Sequence, residues 1–341
     1  MQKPNPTYRI LTLVALALFV GFLVWAEHGL DPFTVRILAM WGIYVIMIVT
    51  FNLIYGYTGQ FSLAHAGLAA IGAYTVGVLT LNPAVRQAMY LLAKPIWPLD
   101  AIQVPFLPAL LLGGVLAAIV GFLIGGPALR LHGDYLLIVT FGFSEIIRLL
   151  LVNMPMVVNG AMGLKGIPNN ISLLWIWGIV VVTVFITKRL VDSSYGRALK
   201  CIRDDEVAAE AMGVGLFYHK MLAFVLSAFF VGIAGGLLSN LLGTIDPNTF
   251  RPYLTYAIIT MAVLGGVESM TGSILAAGIY TIMSELLRTV EAPATILGWN
   301  FPGLPGLRQL AFAVMLLLLI LFYRRGLLGT AEFSWRWLLG R

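Results

Sequence analysis

The sequence predicts an all-α protein, a polytopic transmembrane bundle of about ten spans, and three observations carry that prediction. Hydrophobic residues make up 60% of the 341 residues and charged ones 11%, with a mean hydropathy of +0.94. A soluble domain carries roughly 25% charged residues, so water is not the main solvent of this chain. Apolar runs near the ~20 residues that cross a bilayer recur along the whole length, which argues for a single membrane domain over 1–341. Lysine and arginine then segregate to one side of the threading.

The runs lie at 10–26, 35–55, 62–81, 106–129, 135–151, 173–187, 221–242, 254–266, 272–287 and 307–323. The first follows Lys3 and Arg9 and resembles a signal peptide, with Val24-Trp25-Ala26 as a tolerable cleavage site. It is also long enough to span, and it is read as a retained first helix. The third, eighth and ninth are short or rich in Gly, Ser and Thr, so they tilt, break or pack deep inside the protein. With the N-terminus cytoplasmic, the inner segments hold Lys3, Arg9, Arg130, Lys188, Arg189, Arg197, Lys200, Arg203, Lys220, Arg324, Arg325, Arg336 and Arg341. The outer side holds chiefly Arg86, Lys94, Lys165 and Arg251. That asymmetry obeys the positive-inside rule and puts both termini in the cytoplasm. It also explains the net charge of +6 without nucleic acid as a partner. A single cysteine, Cys201, excludes an internal disulfide.

Small residues recur every fourth position on three runs: Ala69, Ala73 and Gly77; Gly113, Ala117, Gly121 and Gly125; Ala228, Gly232 and Gly236. Such stripes let membrane helices approach closely. There is no Gly-Lys-Ser/Thr phosphate loop, so no Walker-type ATP site is expected in this chain. None of the histidines, His28, His65, His132 and His219, opens a zinc-protease pattern, and no metal site is expected. No two carboxylates sit together inside the runs. The chain therefore reads as a non-enzyme.

Four features remain. Between the second and third runs lies the polar, glycine-rich break Tyr55-Gly56-Tyr57-Thr58-Gly59-Gln60-Phe61-Ser62-Leu63-Ala64-His65-Ala66-Gly67. It reads either as a tight turn with His65 bonded to a neighbouring helix or as a gate lined by Tyr57, Thr58, Gln60, Ser62 and His65. Two pentads match: Ser144-Glu145-Ile146-Ile147-Arg148 and Ser284-Glu285-Leu286-Leu287-Arg288. Glu145 with Arg148, and Glu285 with Arg288, share a helix face three residues apart. They are either self-neutralised pairs or polar lining of a pathway. In the loop 188–220, Asp204, Asp205 and Glu206 supply negative charge for a helix N-terminus. Val207, Ala208, Ala211 and Met212 follow as an apolar stripe, and Gly213 ends the helix. A short amphipathic helix held outside the membrane is a docking element. Fourth, an outer segment Asn159-Gly160-Ala161-Met162-Gly163-Leu164-Lys165-Gly166-Ile167-Pro168 is built for tight turns.

Together these segments resemble the membrane subunits of branched-chain amino acid ABC importers, the Liv-type permeases. The resemblance is carried by Gly56 through Ala66, Ser194-Tyr195-Gly196-Arg197-Ala198-Leu199, Glu206 through Gly213, Lys220 through Phe229, and Arg325-Gly326-Leu327-Leu328-Gly329. It implies a permease domain paired with a second, related permease subunit. It further implies two ATP-binding subunits that hydrolyse the ATP and a periplasmic substrate-binding protein, at the bacterial inner membrane, with no cofactor bound by this chain. The ATPase-coupling residues implied are Asp205, Glu206, Ala208, Ala209, Met212 and Gly213. The family's Glu-Ala-Ala with Gly four residues on is kept at Ala208, Ala209 and Gly213, while Val207 displaces Glu206 by one. Rival readings are a urea or short-amide permease of the same family and an ion-coupled secondary transporter. The second needs a titratable coupling residue, for which Glu145 and Glu285 are the candidates. Reporter fusions after Asn82, Lys165 and Asp246 are expected to read as external; one internal reading would break the threading.

Overall fold

A computed structural model describes residues 6–90, 95–97, 99–100, 102–131, 133–169, 171–291, 294–296, 299–301, 306–322, 326–329 and 331–332. Lys3, Lys94, His132, Arg324, Arg325, Arg336 and Arg341, used in the readings above, lie outside the described residues. In chain order the elements are α1 (Pro6–Gly29), α2 (Pro32–Ile54), α3 (His65–Thr80), α4 (Pro83–Met89), α5 (Phe106–Ala128), α6 (Asp134–Val152) and α7 (Pro155–Val158). A short 3-10 turn (Gly160–Met162) leads to β1 (Leu164–Lys165), α8 (Leu173–Asp192), α9 (Ser194–Asp204) and α10 (Glu206–Ala211). Then come α11 (Leu216–Leu242), β2 (Thr244–Ile245), α12 (Pro252–Gly265), α13 (Met270–Glu291), β3 (Ala294–Ile296), β4 (Trp299–Phe301) and α14 (Leu307–Phe322). Each of the ten apolar runs carries a helix. Among the described residues, six helices are long and apolar enough to cross a bilayer: α2, α5, α6, α8, α11 and most of α13. The pair α3 and α4 passes the same test only together, across a bend of 112°.

Helix ends follow local chemistry. Asp31 caps α2 by accepting from the Thr34 N–H at 3.2 Å and from its hydroxyl at 2.7 Å, with Pro32 pre-set for the first turn. Asn82 caps α4 through the Ala84 N–H at 3.0 Å. Arg86 has a structural task there: buried, it donates to the carbonyls of Val78, Leu81 and Ile102. Two of these lie at the C-terminal end of α3, where the last carbonyls lack helical partners and a cation opposes the dipole. The charge counted as an outer loop residue is thus a helix cap. β1 and β2 pair antiparallel, Leu164 opposite Ile245, and the Ile167 N–H donates to the Gly243 carbonyl at 2.9 Å.

The axis of the bundle is α11, which packs on α2, α3 and α5 and is buried over most of its length. The three small-residue stripes meet on it. A Cβ at Gly72 of α3 would strike the Gly232 main chain, and one at Gly235 the Ala69 carbonyl. One at Gly121 of α5 would come within 2.6 Å of the Ala228 Cβ. Main chain therefore faces main chain, which is how helices gain contact where no hydrophobic force drives them together.

On α5 the two faces are both apolar and differ in bulk. Gly113, Ala117, Gly121 and Gly125 are buried, while Leu112, Leu116, Ile119 and Phe122 are exposed. A helix in water separates its faces by polarity instead. Several hydroxyls inside the bundle bond to main chain. Thr50, Thr183, Thr260 and Thr281 donate to the carbonyl four residues earlier at 2.7–2.8 Å. Trp41 donates to the Ile274 carbonyl at 2.8 Å and Asn52 to the Ser273 hydroxyl at 2.5 Å, joining α2 to α13.

Gly72→Leu is expected to lower the melting temperature in detergent sharply, because a carbonyl cannot yield as a side chain does; overpacking costs roughly 1–3 kcal/mol even where it can. Gly142→Ala, at a glycine whose Cβ would meet nothing within 4 Å, is the matched control and should melt as the parent does.

Candidate functional site

The break between α2 and α3 is where helical bonding stops inside the bundle. The Asn52 carbonyl accepts from both the Gly56 and Tyr57 N–H groups, at 2.8 and 3.0 Å, and turns the chain out of α2. Gly59 then takes φ +74°, a conformation that favours glycine. Leu63, Ala66 and Gly67 donate their N–H groups to Thr140 Oγ1 at 3.0 Å, Thr255 Oγ1 at 3.1 Å and Ser144 Oγ at 3.0 Å. A helix start leaves such N–H groups orphaned, and the residue before α3, Ala64, has no side chain to cap them. Hydroxyls of α6 and α12 supply the caps.

The five residues predicted here have different fates. The Tyr57 hydroxyl donates to the Glu268 carbonyl at 2.5 Å, and the Lys200 ammonium lies 5.6 Å from its ring centre. Thr58 donates to the Leu53 carbonyl at 2.9 Å, and Ser62 accepts from the Ala64 N–H at 3.3 Å. His65 is buried with its ring 5.2 Å from that of Phe51, and neither ring nitrogen has a partner among the described residues. The turn forms, and no bond from His65 to a neighbouring helix is present among the described residues. Gln60 is 3% exposed, neither amide atom has a partner among the described residues, and the residue lines a cavity of about 340 Å³.

Outside the bundle, α9 holds the break in place and α10 is tied to α11. Arg203 donates to the Gly56 carbonyl at 3.1 Å and pairs with Glu268 at 2.5 Å and Asp204 at 2.8 Å. Burial opposes its charge, and the two carboxylates outweigh that and raise its pKa. Asp205 caps α10 by accepting from the Val207 and Ala208 N–H groups at 2.9 and 3.0 Å. Gly213, at φ +81°, follows the last turn. Val207 and Met212 are 79% and 84% exposed, with Ala208 and Ala211 beside them. Ala209 is buried, and Glu206 turns inward to the buried Lys220 at 2.6 Å. The six predicted coupling residues thus divide: Ala208, Met212 and Gly213 face outward, Ala209 and Glu206 face the bundle, and Asp205 is a cap.

Both pentads form their ion pairs, Glu145 with Arg148 at 2.8 Å on α6 and Glu285 with Arg288 at 3.0 Å on α13. Their serines diverge. Ser144 caps α3, whereas Ser284 meets the Arg308 guanidinium at 3.4 Å. Glu285 and Arg288 line a cavity of about 320 Å³ with Arg36 and Arg308, at the ends of α2, α13 and α14. Among the described residues no three His, Cys, Asp or Glu side chains gather as a metal site. Sequence reading missed Arg203 and Glu268 as the fastening of the break. A carboxylate in the short glycine-rich gap between two apolar runs, Gly265-Gly266-Val267-Glu268, was the available signal for one of them.

A bundle with six helices long and apolar enough to cross a bilayer, and a polar break held by Arg203 of α9, defines a multi-span membrane protein. Residues 33–323 match the family described as branched-chain amino acid transport system / permease component, and the chain belongs to that family. It is 31% identical to the high-affinity branched-chain amino acid transport system permease protein LivM of Escherichia coli, over 82% of this chain and 68% of the relative. It is 25% identical to the probable branched-chain amino acid transport permease protein LivM of Methanocaldococcus jannaschii, over 86% of this chain and 92% of the relative. A D-allose transport system permease protein, AlsC of Escherichia coli, is 27% identical over 49% of this chain and 53% of the relative. No solved structure matches.

In a double-mutant cycle of Arg203→Ala and Glu268→Gln, melting in detergent is expected to show a coupling of about 1 kcal/mol, above the few tenths typical of exposed pairs. Additive effects would mean that the pair does not fasten the break.

Proposed function

We propose that this chain is one half of the transmembrane route of an ATP-driven importer of branched-chain, aliphatic amino acids in a bacterial inner membrane. It crosses the bilayer about ten times with both termini cytoplasmic, α3, α12 and α14 crossing as short, tilted or broken spans. A second, related permease chain completes the route, a periplasmic binding protein delivers the cargo, and two partner subunits bind and hydrolyse ATP. No covalent chemistry falls to this chain.

The observation that carries the reading is α10, whose exposed Val207, Ala208, Ala211 and Met212 form an apolar face outside the bundle. An exposed apolar helix face of this kind is read as a partner surface. Its other side is fastened inward, Glu206 to Lys220 of α11, while Arg203 of α9 holds Gly56 and Glu268. A push on α10 is carried by these ties to the break, and closely packed main chains slide as rigid bodies. A zwitterion with an apolar tail needs few polar groups on its way. A scaffold similar to that of a D-allose permease is consistent with a permissive route, selectivity resting mostly in the binding protein.

Proteoliposomes holding this chain, its sister permease, the ATPases and the binding protein are expected to take up leucine only with ATP. Ala208→Glu and Met212→Glu lie on the exposed face, so the fold should survive while uptake falls at least ~10-fold, the cost of burying an unpaired charge in an interface. Uptake by the chain alone, abolished by an uncoupler, would overturn the reading in favour of an ion-coupled transporter.

A further inference from the structure

We propose that the cleft at the ends of α2, α13 and α14 binds the phosphate of one anionic phospholipid, whose acyl chain lies along α14. The cleft, of about 320 Å³, is lined by Arg36, Arg288 and Arg308, and its size falls within the roughly 300–1,000 Å³ of small-molecule sites. The three arginines come from three different helices. Under the proposed threading their meeting point lies in the outer leaflet, where the positive-inside rule makes arginine sparse. Like charges gathered so closely repel one another, and a counter-charge relieves that. The leaflet rests on the threading; the chemistry of the cleft does not.

The chain's own carboxylates do not cancel the three guanidinium groups. Glu285, also in the lining, pairs with Arg288 at 3.0 Å, and Glu291 lies 3.7 Å from Arg308. Arg36 has no ion-pair partner among the described residues, so the cleft keeps one positive charge in excess. All three side chains are accessible: Arg36 is exposed, and Arg288 and Arg308 are 61% and 32% exposed. A guanidinium presents paired, planar donors that match phosphate oxygens. A phosphodiester with one negative charge balances the excess.

What separates a lipid from a free anion is the helix beyond Arg308. Ala311, Met315, Leu318 and Phe322 follow it at steps of three and four residues and so stand on the same face. With Leu310 and Val314 they line an apolar hollow of about 740 Å³. From Arg308 to Phe322 the helix rises about 21 Å, more than half of the ~30 Å hydrocarbon thickness. A cationic cleft with an apolar strip of one leaflet's depth running from it is the outline of an anionic phospholipid. Basic pockets between membrane helices hold such head groups.

The test is native mass spectrometry of the full-length chain in detergent micelles, with phosphatidylglycerol, phosphatidylethanolamine or inorganic phosphate added. One phosphatidylglycerol per chain is expected to stay bound under conditions that strip phosphatidylethanolamine, whose head group has no net charge, and inorganic phosphate. Arg36→Gln removes a guanidinium with no ion pair to lose, so it should melt as the parent does and weaken that binding about tenfold, the worth of a hydrogen bond to a charged group. Ala311→Phe fills the hollow and should weaken it too, whereas Lys165→Gln, a charge change outside the cleft, should not. Equal retention of both lipids, or retention indifferent to Arg36→Gln, would mean ordinary bilayer lipid and overturns the proposal. Phosphate binding that needs Arg36 and ignores Ala311→Phe would mean a free-anion site and overturns it as well. If Arg36→Gln weakens association with a binding protein and leaves phosphatidylglycerol bound, the cleft belongs to an acidic protein surface instead. None of these readings involves ATP or uptake, so they are separate from the importer reading.

Discussion

Where a chain stops being helical inside a bilayer, each main-chain N–H and C=O group it frees has to be answered by protein, because no water is there to do it. Residues 55–67 meet that requirement with groups borrowed from elsewhere. Thr140 and Ser144 come from α6, Thr255 from α12, and Arg203 from α9. The position of the break therefore depends on three other helices being in place, and the start of α3 depends on the break. Since α3 lies main chain to main chain on α11, the axis of the bundle inherits the same dependence.

Two kinds of fastening result, and they differ with depth. Inside the bundle the ties are hydroxyls, neutral and short, which suit a medium where an ionic group is expensive. Beyond it, α9 and α10 are tied by ion pairs, Arg203 with Glu268 and Lys220 with Glu206. Both pairs are partly buried, so they are less screened by salt than exposed ones. The neutral ties fix the register of α3, and the ionic ties link the helices outside to it.

The fold was legible because bilayer and water sort residues so strongly. All ten apolar runs coincide with helices, and the small-residue stripes, found by spacing alone, turned out to face one another. Length was harder to read. Helices α3, α12 and α14 are apolar enough but short, and periodicity says nothing about a bend such as the one between α3 and α4. The site was legible as a place and less so as a set of roles. Polarity and glycine marked the break, yet Thr58 and Ser62 spend their hydrogen bonds on the turn itself and Tyr57 spends its own on the Glu268 carbonyl, while Gln60 alone of the five lines the cavity beside α10. For α10, composition predicted a partner-facing helix; which side faces outward was decided by Lys220, 14 residues beyond Glu206, whose attraction for that carboxylate no local pattern reveals.

The separation of α5 by bulk inverts the usual relation between burial and mutability. In a soluble core the large side chains are the constrained ones, and a small exposed residue can change freely. Here a methylene added at Leu116 or Phe122 enters a fluid solvent of acyl chains, whereas one added at Gly121 enters a neighbouring helix. Drift along this helix is therefore open towards almost any apolar residue on its broad side and nearly closed on its narrow side. What α5 transmits through its ancestry is less a hydrophobic pattern than a groove, a record of where side chains are not.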